Sequence, residues 1–157
     1  MRVAMAIVLM GSVVSTADAW QSRGTAAIRA CSLLTKELAL RVTSANKRIF
    51  DLLPPAEEPL GANGSSCEYG DIGLQVDPFT PARLDQLYKQ SGRDWTPVAG
   101  VGDAAYFHDN GGRFAELYVR VGTHTFTIQM DVPVGGSVGA IKPNTITLAN
   151  ALVPKLK

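Results

Sequence analysis

Two cysteines behind an export leader constrain this chain more than any other feature, because a compartment outside the cytosol lets a thiol pair close and persist as a covalent staple. Cys31 and Cys67 are the only cysteines in the 157 residues, so one connectivity exists. Chain-entropy reasoning assigns a closed loop of about 36 residues on the order of 4 kcal/mol, a large share of a small domain's net stability. A nucleophilic cysteine is the competing reading. It would need a base beside it, and neither His108 nor His124 sits in a recognisable local signature.

The leader is legible in three parts. Arg2 supplies the positive start, Val3 to Val14 is an almost uncharged apolar run, and Ala17-Asp18-Ala19 is a small-x-small cleavage site. Residues 1–19 are therefore expected to be removed, leaving 20–157 as a single domain with Trp20 at its head. The apolar run is shorter than the ~20 residues a spanning helix needs. Ile28-Arg29-Ala30-Cys31 loosely resembles the cysteine context of lipid-anchored proteins, but Arg23 and Arg29 separate Cys31 from the apolar run, which argues against lipidation. The expected location is the periplasm or the exterior, with no stable membrane insertion after cleavage.

Fifteen basic and fourteen acidic residues leave a net charge of +1, which excludes a binder that holds nucleic acid by bulk charge. The fifteen glycines and nine prolines fall between candidate elements and punctuate them. Leu34, Leu38, Val42 and Ala45 mark one face of a helix, with Thr35 as its N-cap and Glu37 in its first turn. Asp51 to Ser65, with three prolines and Glu57-Glu58, reads as an exposed loop. Cys67 and Tyr69 lead through Gly70-Asp71 into alternating Ile72, Leu74 and Val76, a hairpin. Thr80-Pro81 opens a second helix carrying Leu84, Leu87 and Tyr88 and closing near Gly92. Three further strands are predicted at Ala104–His108, Arg113–Val121 and His124–Val132, and a closing helix at about Pro143–Val153. The expected fold is α+β: an antiparallel sheet of about five strands covered on one face by helices, in two layers. Helix then meander occurs twice, the order a diverged internal repeat would give.

Gly100-Val101-Gly102-Asp103-Ala104-Ala105 matches the spacing of a dinucleotide fingerprint, but Trp95-Thr96-Pro97 precedes it and strand-like Tyr106-Phe107 follows, so it reads as a turn. His108, Asp103 and Asp109 could approach one another around one strand end, the minimum for a weak metal site, but no histidine or cysteine spacing supports one; a hydrolase would use His108 with Asp103 or Asp109. Glu57 and Glu58 lack an apolar pocket that would raise either pKa for acid–base work. No catalytic residue, metal or cofactor is expected. The polar side of the predicted sheet carries Tyr118 and Arg120, with Thr125, Thr127 and Gln129 on the next strand and Phe114 at the edge. Aromatic, arginine and hydroxyl groups on a rigid sheet make a reasonable contact surface.

Cys31-Ser32-Leu33-Leu34-Thr35-Lys36-Glu37, Cys67-Glu68-Tyr69, the stretch Val98 to Tyr106 and the terminal helix together resemble a bacterial secreted domain of unknown function. That family is typified by actinobacterial cell-envelope lipoproteins and by extracellular sensor domains of membrane kinases. The resemblance spans roughly Cys31 to Leu156 and implies a two-layer α+β domain, a disulfide from the start of the first helix to the first strand, and no catalytic residues to carry over. This chain lacks the family's usual lipobox, and its segment before Cys67 is long. The expected function is a non-enzymatic binding or sensor-like domain for an exported protein or a small ligand. The alternatives are an inhibitor or immunity-type protein acting on an envelope hydrolase through Asp51 to Ser65, and a His/Asp hydrolase.

Overall fold

Thr35 opens the first predicted helix by the expected mechanism. In the computed structural model, which describes residues 28–43, 54–82, 84 and 94–157, its hydroxyl accepts the Leu38 N–H at 3.3 Å. An orphan donor of the first turn is thereby satisfied. The Glu37 backbone N–H and then the Thr35 hydroxyl hold the Glu37 carboxyl below its ordinary pKa. This helix, α2 (Lys36–Val42), buries Leu38, Ala39 and Val42. It ends before Ala45, which lies outside the described residues together with the leader and Leu87, Tyr88 and Gly92 of the second predicted helix. Of that second helix, the Leu84 N–H bond to the Thr80 carbonyl at 3.4 Å is present. A short turn of helix, α1 (Ala30–Leu33), precedes α2.

Among the described residues the sheet has seven strands rather than about five: β1 (Ala56–Leu60), β2 (Gly64–Tyr69), β3 (Ile72–Pro78), β4 (Thr96–Pro97), β5 (Ala104–Asp109), β6 (Phe114–Val121) and β7 (His124–Asp131). Every pairing is antiparallel and the order is β1-β2-β3-β7-β6-β5-β4. The three strands expected from Ala104 onward form as predicted, as does the hairpin at Gly70-Asp71. The expected loop Asp51 to Ser65 is corrected. Its residues 56–60 pair with β2 from Ala56↔Glu68 to Leu60↔Gly64. Proline is excluded from central strands but tolerated on an edge, and β1 is an edge.

Both tight hairpins use one device. Gly70 (φ 60°) and Gly122 (φ 56°) take the first position of a two-residue turn, as a type II′ turn requires. From Tyr69 to Val121 and from Ile72 to His124 is the same step of 52 residues. The last strands of the two meanders, β3 and β7, pair around Gln75↔Thr127, so the pairing pattern has an approximate two-fold centre there.

The closing helix, α3 (Val138–Leu152), starts five residues earlier than Pro143 because Ser137 caps it, accepting from the Ala140 N–H at 3.3 Å. Pro143 therefore sits inside the helix, where it leaves the Gly139 carbonyl without its usual donor. The buried stripe is Val138, Ile141, Thr145, Leu148, Ala149 and Leu152. Ile146 and Val153 are half-buried. Helix α3 contacts β6, β7 and α2, and α1 contacts β1, β2 and β3. Leu34, Leu38, Leu74, Leu117, Phe126, Ile128, Leu148 and Leu152 belong to one apolar cluster.

Cys31 and Cys67 are bonded, with sulfurs 2.10 Å and Cα atoms 5.0 Å apart, which ties α1 to β2. Polar bonds reinforce this corner. Ser65 Oγ accepts the Ala30 N–H at 2.6 Å and lies 3.0 Å from the Ile28 carbonyl. The Arg29 guanidinium meets Glu57 at 2.7 Å, and Lys155 donates to the Leu33 carbonyl at 3.0 Å. Among the described residues no helix is long and apolar enough to cross a membrane.

Candidate functional site

Strand alternation sends Leu74, Leu117, Phe126 and Ile128 into the core and their neighbours to the opposite face. On that second face one cross-strand row runs Glu68, Gly73, Gln129, Glu116, His108, and the next runs Ser66, Gln75, Thr127, Tyr118, Tyr106. A third holds Asp77, Thr125, Arg120 and Ala104. Five of the six residues expected to form one exposed patch fall into these rows and Phe114 pairs with Asp131 beyond them, but they do not share one environment.

Toward β5 the face is covered, which corrects the expectation for part of the patch. Tyr118 and Thr125 are each 2% exposed. Thr125 donates to the Asp77 carbonyl at 3.2 Å, and the Arg120 guanidinium lies 5.2 Å from the centre of the Phe79 ring, a cation–π distance. His108 is buried, with its ring 5.3 Å from that of Trp95 and its Nδ1 3.3 Å from the Asp94 carbonyl. Alternation gave the correct face for these residues. It could not show that Phe79 and Trp95, which flank the stretch between β3 and β4, pack on that face.

Toward β2 the face is open. Thr127 is half-buried and Gln129 exposed, and Phe114, opposite Asp131, is half-buried at the sheet's end. A groove of about 200 Å³ has Gly73 in its lining, the one position in its row without a side chain. The acidic residues Glu68, Asp71, Glu116 and Asp131 line it, along with Gln75 and Gln129, and among the described residues no lysine or arginine does. A Cβ at Gly73 would meet only the Gln129 Cβ, at 3.6 Å, so the groove exists because a glycine stands where a side chain would fit. A glycine at a polar position of an alternating strand adds nothing to the periodicity, so alternation alone does not single out Gly73. The available signal was that Gly73 interrupts a strand interior, which often marks a close approach by a ligand or another chain.

The remaining candidates occupy turns. Asp103 accepts the Gly122 N–H at 2.6 Å and Asp109 the Gly112 N–H at 2.8 Å. The two carboxylates flank opposite ends of β5, ~20 Å apart at ~3.3 Å per residue, and Asp109, next to His108 in the strand, faces the other way. Each carboxylate that the hydrolase alternative would pair with His108 instead accepts a turn N–H. Gly100 and Gly102 have φ of 78° and 57° and precede strand β5, so the fingerprint-like spacing is a turn. A Cβ at Gly102 would lie 2.5 Å from the Arg120 carbonyl oxygen, which explains a glycine there without a phosphate. Glu57 and Glu58 face opposite sides of β1. Burial raises the Glu57 pKa, and the Arg29 hydrogen bond and charge, with the Cys31 N–H and the Ser65 hydroxyl, outweigh it and hold the carboxyl below its ordinary range. Among the described residues no group of three or more His, Cys, Asp or Glu side chains is placed to hold a metal ion.

No protein-family profile, curated protein or solved structure matches the chain.

Proposed function

We propose that this chain is an exported, non-enzymatic binding domain that meets its partner with the open half of its sheet face. The observation that carries this reading is the polar groove over Gly73, a concave and uncovered patch on the side of the sheet away from the apolar core. We read α1, α2 and α3 as a single layer over the core side, which leaves the second face as the accessible one. Export rests on the leader and is supported by the Cys31–Cys67 bond. The non-enzymatic part rests on the separation of His108, Asp103 and Asp109 into different turns and packing environments. The resemblance to secreted actinobacterial envelope domains agrees with this role and remains part of the proposal. An inhibitor working through Asp51 to Ser65 has less support, because residues 56–60 are engaged in an edge strand.

The test is capture. Immobilised residues 20–157 should retain an exported protein or ligand from envelope extracts saturably, and Gly73→Leu should abolish this while its circular dichroism and melting curve stay like those of the parent. Capture that never saturates, or that ignores Gly73→Leu, would refute the reading.

A further inference from the structure

We propose that the groove over Gly73 is an anchor pocket for a single arginine side chain presented by an exported partner protein, an inference that rests on the binding reading above and gives it a ligand chemistry. Size decides between a small molecule and a side chain. At about 200 Å³ the groove is below the ~300–1,000 Å³ of sites that enclose cofactors or drug-sized ligands. One long side chain suits it better. Residues of that kind, buried in a central pocket, carry most of the energy of protein interfaces, and arginine is prominent among them.

Placement decides the charge and shape of the occupant. Gly73 is flanked across the sheet by Glu68 on β2 and Gln129 on β7, with Glu116 one strand further on. Along the strands the next positions on this face are Asp71 and Asp131, brought together by the Asp131 N–H bond to the Asp71 carbonyl at 2.9 Å. Acidic side chains thus stand on three sides of a floor with no side chain, and among the described residues no basic residue lines the groove. An entering stem can lie on the Gly73 backbone, and its head then meets carboxylates approaching from different directions. A guanidinium spreads five N–H donors over a planar fork and is less strongly hydrated than an ammonium, so it serves divergent acceptors better than lysine. The Gln75 and Gln129 amides and the Thr127 hydroxyl can accept from a donor without adding charge.

The chain itself offers a clean control. Gly73 lies outside the positive-φ region and has room for a Cβ, so Gly73→Leu fills the groove without backbone strain. Glu68→Gln removes charge and adds no bulk. The experiment is a titration of ¹⁵N-labelled residues 20–157 with acetyl-Gly-Arg-Gly-amide, followed by amide shifts. Shifts should concentrate at Gly73, Glu68 and Gln129, and binding should weaken about tenfold in Gly73→Leu, detectably in Glu68→Gln, and with the lysine peptide. Shifts scattered over Glu37, Glu58 and other surface acids, equal binding of the lysine peptide, or indifference to both variants would overturn the anchor. If the peptide fails while envelope capture is still lost in Gly73→Leu, the arginine assignment falls and the binding reading stands. If capture also ignores Gly73→Leu, both fall.

Discussion

Glu57 shows how much a single side chain gains from its neighbours, and how little of that a sequence string reveals. Next to Glu58 and among prolines it looks like a solubilising charge on a loop. In the fold its side chain is 17% exposed and bridges Arg29 of the entering chain to the Ser65 corner of β2. Because its folded pKa lies below the ordinary 4.5, its contribution to stability is present above that value and lost as pH falls through the lower folded value. The melting temperature of Glu57→Gln should therefore lie below that of the parent at pH 7, and the gap should close as pH drops below about 4.5. A gap that is constant with pH would contradict the ion-pair account. Arg29 is 76% exposed, so the effect should be modest and weaken in high salt. Other residue-level features were legible in advance. Thr35 as a cap and Gly100 and Gly102 as turn residues follow from local chemistry, which needs no knowledge of the fold. Gly73 does not, because its importance depends on which side chains the neighbouring strands place around it.

Among elements, α1 is four residues long, too short to persist on its own helical propensity. It is held where it is by the bond from Cys31 to Cys67, a residue with no exposed surface on the central side of β2. Replacing both cysteines by serine should lower the unfolding free energy by about 2–5 kcal/mol, read from urea curves with and without reductant. Reductant should bring the parent close to the double variant. A parent insensitive to reductant under unfolding conditions would show that the cross-link contributes little. The strands from Ala104 onward were readable because alternation and Gly-containing turns agree there. Strand β1 was not, because its proline and paired glutamates are what an edge strand tolerates and also what a loop contains. Strand β4 is two residues long and carries no period. The start of α3 was misplaced because Pro143 suggested it, whereas Ser137 caps the helix and so brings Val138 and Ile141 into its buried stripe.

For the whole molecule, the two meanders joined at β3 and β7 leave one sheet face against the core and divide the other. Near Phe79 and Trp95 that second face is packed; around Gly73 it is open. Alternation made the two faces legible, and it named Thr127 and Gln129 beside the groove. It could not divide the polar face, because that division depends on contacts from outside the sheet. The account is tested most directly by carboxyl footprinting of the intact complex with the captured envelope partner, using carbodiimide labelling and mass spectrometry. Glu68, Asp71 and Asp131 should lose reactivity on complex formation while Glu37 and Glu58 keep theirs. Protection of Glu58 on the β1 edge, with Glu68 and Asp131 labelled as in the free protein, would contradict a partner seated over Gly73.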